Sequence, residues 1–256
     1  MPVRYELDSG LARVTLARAE KRNALSIEMV EQLHDALTRA VDDGAGVVLL
    51  GAEGPTFCAG MDLKTVDVAS ATTAERFAKA LGGVYHRLLT LPLPLLCAVD
   101  GRVLGGGVGI AAAGDLVWVG PHALYTLSET RLGLVPALVS VVLRRRLAPA
   151  RVAGMALGGP PIQAREALDC GLADRVAQTS AIEEAELTAR ELLRYRSADA
   201  NSRTKAFISS EANVGLQDEL VRAREAFCEA VKTSAARRGL EAFLLKRSVR
   251  WDEKEG

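Results

Sequence analysis

The residues best placed to do chemistry sit in two glycine-bearing loops, each behind an apolar run. In the first, Asp100-Gly101-Arg102-Val103-Leu104 leads from the run Leu95–Val99 into Gly105, Gly106 and Gly107, and a small-residue segment, 108–113, follows. With no Cβ atoms at the junction, a ligand reaches the bare backbone. The first amides of a following helix have no intrahelical acceptor and carry the positive end of its dipole. That arrangement suits an oxygen that becomes negative during a reaction. The second loop, Gly51-Ala-Glu-Gly-Pro-Thr-Phe-Cys-Ala-Gly-Met-Asp-Leu63, follows the apolar run 47–50. Either loop taken singly is equally well a glycine turn kept for packing. Other reactive residue types offer less. Cys58, Cys97, Cys170 and Cys228 lie far apart without CxxC or Cys/His spacing, which fits reduced thiols. Cys58 has no histidine nearby in sequence and reads as a small buried thiol. His34 falls on a surface-patterned helix, His122 in a turn after Pro121, and no metal-ligand cluster is present.

The elements that must carry these loops alternate between strand and helix. Leu11–Leu16 alternates as a half-buried strand. Ser26 is placed to cap a helix on which Met29, Leu33, Leu37 and Val41 recur, and Asp42-Asp43-Gly44 stops it. Strand 47–50 precedes the second loop, and residues 64–72, without periodicity, read as a mobile, substrate-facing segment. Thr73 is the expected cap of a helix striped by Phe77, Leu81, Val84, Leu88 and Leu91, with Gly82-Gly83 placed to kink it or to allow close packing. Leu116–Val119 is another buried strand, followed by a helix through about Leu147 that carries Arg144-Arg145-Arg146 as a solvated face. A helix opening at Pro149 ends near Gly158-Gly159. A short helix over 164–169 and a strand over 172–176 complete an α/β part that ends near 177, with parallel strands. From Ser180 the pattern is helical, with breaks near Asp199, Gly215 and Thr233. Its stripe of Leu216, Leu220, Ala223 and Phe227 needs a surface to cover.

Composition narrows the partners. The 256 residues hold 32 basic and 32 acidic side chains and are 49% hydrophobic, an ordinary globular balance. Zero net charge and the lack of a basic-aromatic stripe argue against nucleic acid. No run approaches ~18 apolar residues and no basic-then-apolar leader opens the chain, so a cytoplasmic protein without a membrane partner is expected.

Several segments together resemble the enoyl-CoA hydratase/isomerase (crotonase) superfamily: Lys21-Arg22-Asn23-Ala24-Leu25-Ser26, Phe57-Cys58-Ala59-Gly60-Met61-Asp62-Leu63, residues 101–115 with Ser128-Glu129 and Gly133-Leu134-Val135-Pro136, and the tail 239–247. Four ordered motifs across the chain are far more specific than one triplet of glycines. The resemblance implies a crotonase-like spiral of ββα turns with a C-terminal helical trimerisation region. It divides the chain into a spiral core, 1–195, that holds the thioester site, and a helical oligomerisation region, 196–256, assembling a homotrimer or a hexamer built as a dimer of trimers. It implies no permanently bound cofactor. The substrate's acyl group would arrive as a coenzyme A thioester, or on an acyl carrier protein with the same phosphopantetheine arm.

Carried over by motif position, the backbone N–H groups of Met61 and Gly106 form an oxyanion hole, and Glu129 is the catalytic carboxylate. One such donor contributes ~3 kcal/mol to a barrier. An apolar pocket would raise the Glu129 pKa into a range suited to moving a proton beside a thioester carbonyl; the plain alternative is a helix N-terminal glutamate stabilised by the dipole. For the carrier, Arg22 and Ala24 would line the pantetheine entrance, the loop Ala59 to Leu63, with Asp62, would lie near the adenine, and Phe243 and Lys246 would meet the nucleotide. The chain departs from two-glutamate hydratases at Gly109, where the second glutamate would stand. Three readings remain open: a hydratase or dehydratase on a 2-enoyl/3-hydroxyacyl thioester using Glu129 alone, with ordered water or Asp67 or His86 assisting; a Δ3,Δ2-enoyl-CoA isomerase with Glu129 as single base; and a non-catalytic binding subunit. Likeness to methylglutaconyl-type hydratases and polyketide-pathway dehydratases through Gly-Gly-Gly-Val-Gly and Leu-Ser-Glu favours the first. Ala137, where a dehalogenase or dienoyl isomerase needs an acid after Pro136, counts against those activities.

Overall fold

The computed structural model describes residues 1–67, 70–249 and 251. A hairpin opens the chain, β1 (Val3–Asp8) antiparallel to β2 (Leu11–Leu16), with Val3 opposite Leu16. Helix α1 (Ile27–Asp42) follows, its first turn capped by Ser26 Oγ, which accepts from Met29 N–H at 3.2 Å. It buries Met29, Val30, Leu33 and Leu37 at helical spacing.

Three ββα turns come next. They are β3 (Val47–Ala52), β4 (Thr56–Cys58) and α2 (Ala71–Thr90); β5 (Leu95–Val99), β6 (Arg102–Leu104) and α3 (Gly106–Ala112); β7 (Leu116–Val119), β8 (Leu124–Thr126) and α4 (Ala137–Leu143). In each turn the first strand joins one sheet and the second joins another. Helix α5 (Pro149–Ala156), β9 (Ile162–Gln163), α6 (Ala164–Cys170) and β10 (Arg175–Val176) close the sheets in the orders β1-β2-β3-β5-β7-β10 and β4-β6-β8-β9. All neighbours are parallel except the β1/β2 and β8/β9 pairs. The remaining helices are α7 (Ala181–Tyr195), α8 (Ala198–Ala212), α9 (Leu216–Val231) and α10 (Ser234–Leu244). The repeated step from one sheet to the other is the expected spiral.

Burial on both faces explains the apolar runs of the central strands. Every residue of β5 is buried. Leu49, Leu96 and Trp118 face Ala181, Ala185 and Ala189, small residues on one stripe of α7 that let the helix lie close to the sheet. The opposite face belongs to the main core, which takes in α1, α2 and the buried side of α9 through Leu216, Leu220 and Phe227. Helix α7 ends at Tyr195 and α8 begins at Ala198, and α9 and α10 pack into the same core as the spiral.

Several local expectations change. The cap of α2 is Ser70, whose hydroxyl accepts from Thr73 N–H, because the chain turns into the helix three residues earlier. Of the two expectations for Gly82-Gly83, the kink is not seen, since α2 runs through unbroken, and Gly82 instead lies against Leu138. Strand β1 was not expected, although Val3, Tyr5 and Leu7 alternate with Arg4, Glu6 and Asp8; it lies at a sheet edge and is mostly exposed. The helix expected to reach Leu147 ends at Leu143, and only Arg175–Val176 of the strand expected over 172–176 pairs, alongside Trp118 and Val119. The arginine cluster is not a solvated face. Arg146 donates to Gly114 O and Gly171 O at 2.8 Å each and pairs with Asp174, while Arg145 donates to Asn213 Oδ1 and Glu219 Oε2 at 3.0 Å. The chain reverses there beneath α9, and its carbonyls need donors. Arg144 alone of the three is half exposed. Of the segment 64–72, residues 68 and 69 lie outside the described residues, as do 250 and 252–256 of the tail.

Candidate active site

Two loops meet at the carboxyl ends of β4 and β6. The first is stitched in place by Asn23, fully buried, whose Oδ1 accepts from Arg18 N–H and whose Nδ2 donates to Glu53 O and Thr56 O, each at 2.8 Å. Leu25 N–H donates to Gly60 O at 2.8 Å and Asp62 N–H to Leu25 O at 3.0 Å, a parallel bridge between Leu25 and Met61. Such a bridge spends the groups flanking Met61 on Leu25 and turns the N–H of Met61 to the other side. The second loop enters α3 through Gly105, at φ +52°. The loops touch at Gly60: a Cβ there would lie 3.1 Å from Leu104 O and 3.7 Å from Gly105 Cα. Glycine at 60 is the residue that permits this approach.

Met61, Gly106 and Glu129 all line one cavity of about 130 Å³. Its walls are apolar, with Phe77, Leu81, Leu132, Leu138, Val139 and Phe227 among them, and Glu129 is the one charged side chain among the described residues that line it. Glu129 begins the short 3-10 turn Glu129–Leu132. Its Oε1 lies 3.1 Å from where a Cβ on Gly105 would sit, and its Oε2 is buried with no hydrogen-bond partner among the described residues. Burial pushes its carboxyl up to about 7, against the opposing pull of the Glu129 and Ser128 backbone N–H groups. A buried acceptor left unpaired is costly, and a pKa near neutrality suits a group that both takes and returns a proton.

Tyr85 was not legible as a site residue. It sits beside Leu81, Val84 and Leu88 on α2, fully buried, and lines the cavity. Its hydroxyl donates to Gly106 O at 2.7 Å. A Cβ on Gly109 would fall 2.5 Å from Tyr85 Oη and 2.6 Å from Cζ, so the phenol fills the space a side chain at 109 would need. The signal in the sequence was a tyrosine within a buried stripe, where its hydroxyl needs a partner.

The expected carrier residues divide. Ala59, Leu63 and Phe243 line the cavity, with Phe243 about half exposed on α10. Arg22 is exposed in a left-handed turn, with its carbonyl accepting from Ala59 N–H at 3.0 Å, and Ala24 lies beside it with its carbonyl held by Arg18. Asp62 is engaged as a brace: it pairs with Arg18 at 3.2 Å and accepts from Lys64 N–H. Lys246 follows α10 at φ +55°. His86 faces a different cavity, with His34 and Lys79, and Asp67 does not line the one holding Glu129. On α2, Tyr85 lines the Glu129 cavity, whereas the next residue, His86, lines the other one. Cys58 is buried and burial raises its thiol to about 12, so it stays protonated.

Set against known proteins, residues 6–254 match the family model described as enoyl-CoA hydratase/isomerase. A Thermus thermophilus protein assigned as an enoyl-CoA hydratase is 35% identical over 247 residues, covering 94% of this chain and 97% of its own. The 1,2-epoxyphenylacetyl-CoA isomerase of Escherichia coli is 31% identical, covering 97% of each. The crystal structure of an enoyl-CoA hydratase from Mycobacterium avium superimposes with a TM-score of 0.87 at 30% identity, covering 98% of both chains.

Proposed function

This chain belongs to the enoyl-CoA hydratase/isomerase family, and from that premise we propose that it is a hydro-lyase that adds or removes water across a 2-enoyl/3-hydroxyacyl thioester. The observation that carries this reading is the Glu129 carboxyl, raised to about 7 by burial and with its Oε2 unpartnered among the described residues, in the cavity that Met61 and Gly106 also line. The polar side-chain groups of that cavity, Glu129, Ser128 and Tyr85, are set among apolar walls, and a reactant bearing a hydroxyl needs such a polar spot where an olefin does not.

In the proposed hydration, the ionised Glu129 takes a proton from water as its oxygen bonds to C3. The C2=C3 electrons move to the thioester oxygen, which the N–H groups of Met61 and Gly106 stabilise. Protonated Glu129 then returns the proton to C2, the oxyanion collapses to the carbonyl, and the carboxylate is regenerated. Dehydration runs the same steps backwards. The carrier is coenzyme A, or a carrier-protein phosphopantetheine, contacted by Arg22, Ala24, Ala59, Asp62, Leu63, Phe243 and Lys246.

Gly109 favours a second reading. With one carboxylate, Glu129 can shuttle a proton between C4 and C2 of a 3-enoyl thioester, an isomerisation. Incubation with crotonyl-CoA and 3-hexenoyl-CoA separates the two: loss of enone absorbance from the first supports hydration, and a gain from the second with no loss from the first supports isomerisation. Replacing Glu129→Gln tests the role of that carboxylate, since unchanged turnover of both thioesters would remove its catalytic assignment, whereas a wild type that turns over neither thioester would leave only a binding subunit.

A further inference from the structure

A water that attacks carbon must be held so that one lone pair faces C3, which requires acceptors for both of its O–H bonds. Glu129 supplies one, through the buried Oε2 that has no partner among the described residues. The position that supplies the other in two-carboxylate sites is Gly109, which has no side chain. Tyr85 stands there instead, since its Oη and ring atoms lie 2.5–2.8 Å from where a Cβ on Gly109 would be. The phenol is oriented. Its proton is committed to Gly106 O at 2.7 Å, which leaves the lone pairs of Oη to accept. Tyr85 and Glu129 line the same cavity, and they approach successive residues of one turn. Glu129 Oε1 lies 3.1 Å from a Cβ position on Gly105, and Tyr85 Oη lies 3.5 Å from the one on Gly106.

We propose that Tyr85 is the second acceptor of the site: its phenol oxygen and Glu129 Oε2 together bracket the water that adds to C3, or the 3-hydroxyl that leaves. The role is to hold the oxygen and not to move its proton. Burial, reinforced by the charge of Glu129, holds the phenol far above its ordinary pKa, so all proton transfer falls to Glu129. Gly109 is then the partner of Tyr85, the residue whose lack of a side chain makes room for the phenol.

The proposal rests on the lyase reading, and one pair of assays tells their failures apart. Exchange of the C2 protons of butyryl-CoA with D2O needs the oxyanion hole and Glu129 but no attacking water; hydration of crotonyl-CoA needs all three. Tyr85→Phe keeps the ring against Gly109 and removes only the oxygen. Expected is a loss of hydration of about tenfold or more with exchange held within about twofold of the wild type, while Glu129→Gln loses both. Equal losses of hydration and exchange, which would follow if the hydroxyl merely steadied Gly106 or if the variant misfolded, would overturn the proposal, as would full hydration by Tyr85→Phe. Should the wild type exchange the C2 protons yet hydrate no 2-enoyl thioester, the lyase reading fails, and the role given to Tyr85 fails with it.

Discussion

At the scale of single residues, the account turns on one carboxyl whose surroundings do not solvate its charge. Glu129 has an ordinary value of 4.5 and is raised to about 7 by burial. In the proposed mechanism the ionised form begins the reaction in either direction, so kcat/KM should fall about tenfold per pH unit below 7 and level off above it. A pH series of initial rates checks this; a profile flat from 5 to 8 contradicts it. Glu129→Gln should lower kcat by ~10²–10⁴ with the fold intact. The same shift makes a statement about stability. Between 4.5 and 7 the folded chain binds more protons than the unfolded one, so this group's contribution to stability falls as pH rises through that window. The glutamine variant carries no such penalty, and it should be more stable than the wild type by ~3 kcal/mol at pH 8, a difference that shrinks towards pH 5. Urea titrations of both proteins at the two pH values measure it.

At the scale of elements, the site is held where α2 crosses the start of α3. Gly109→Ala places a methyl within 2.5 Å of Tyr85 Oη, against a fully buried ring. Overpacking of that kind costs ~1–3 kcal/mol, and thermal melts should show a smaller loss when the same change is made in a Tyr85→Leu background. Equal losses in both backgrounds would deny the contact. This crossing also marks the limit of what the sequence discloses. Strands β3, β5 and β7 were legible because each is an uninterrupted apolar run between turn residues, and α1 because its stripe follows a serine cap that the structure retains. Strands β4, β6 and β8 have three residues each, too few to show a period. Their place in the second sheet followed from the family resemblance alone. Met61, Gly106 and Glu129 could be named from motifs because local order places them. Tyr85 could not, because its importance comes from Gly109, and nothing in either neighbourhood refers to the other. Arg145 and Arg146 misled for a related reason: a basic run looks solvated until the partners brought from α9 and from Asp174 are known.

At the scale of the whole molecule, α8 is tied to its own chain through Lys205, which donates to Leu93 O and pairs with Asp115 at 2.7 Å each, yet it leaves an apolar face open. None of its residues is buried, and Phe207 and Ile208 are 74% and 63% exposed. A homotrimer, or a hexamer of two trimers, would cover such a face, and light scattering should give about three or six times 27.2 kDa. Phe207→Glu with Ile208→Glu should shift that mass to the single chain, whereas a monomeric wild type would contradict the assembly. Among the described residues no helix is long and apolar enough to cross a membrane. The spiral does for function what no single element can: it brings a loop after β4, the entrance to α3 and the turn at 129 to one cavity from three separate stretches of chain. The most direct test of that convergence is a crystal structure with butyryl-CoA bound. The account predicts the thioester oxygen within about 3 Å of both the Met61 and Gly106 nitrogens, with the Glu129 carboxyl beside C2. A thioester oxygen that meets neither nitrogen, or a Glu129 carboxyl turned away from C2 into solvent, would contradict it.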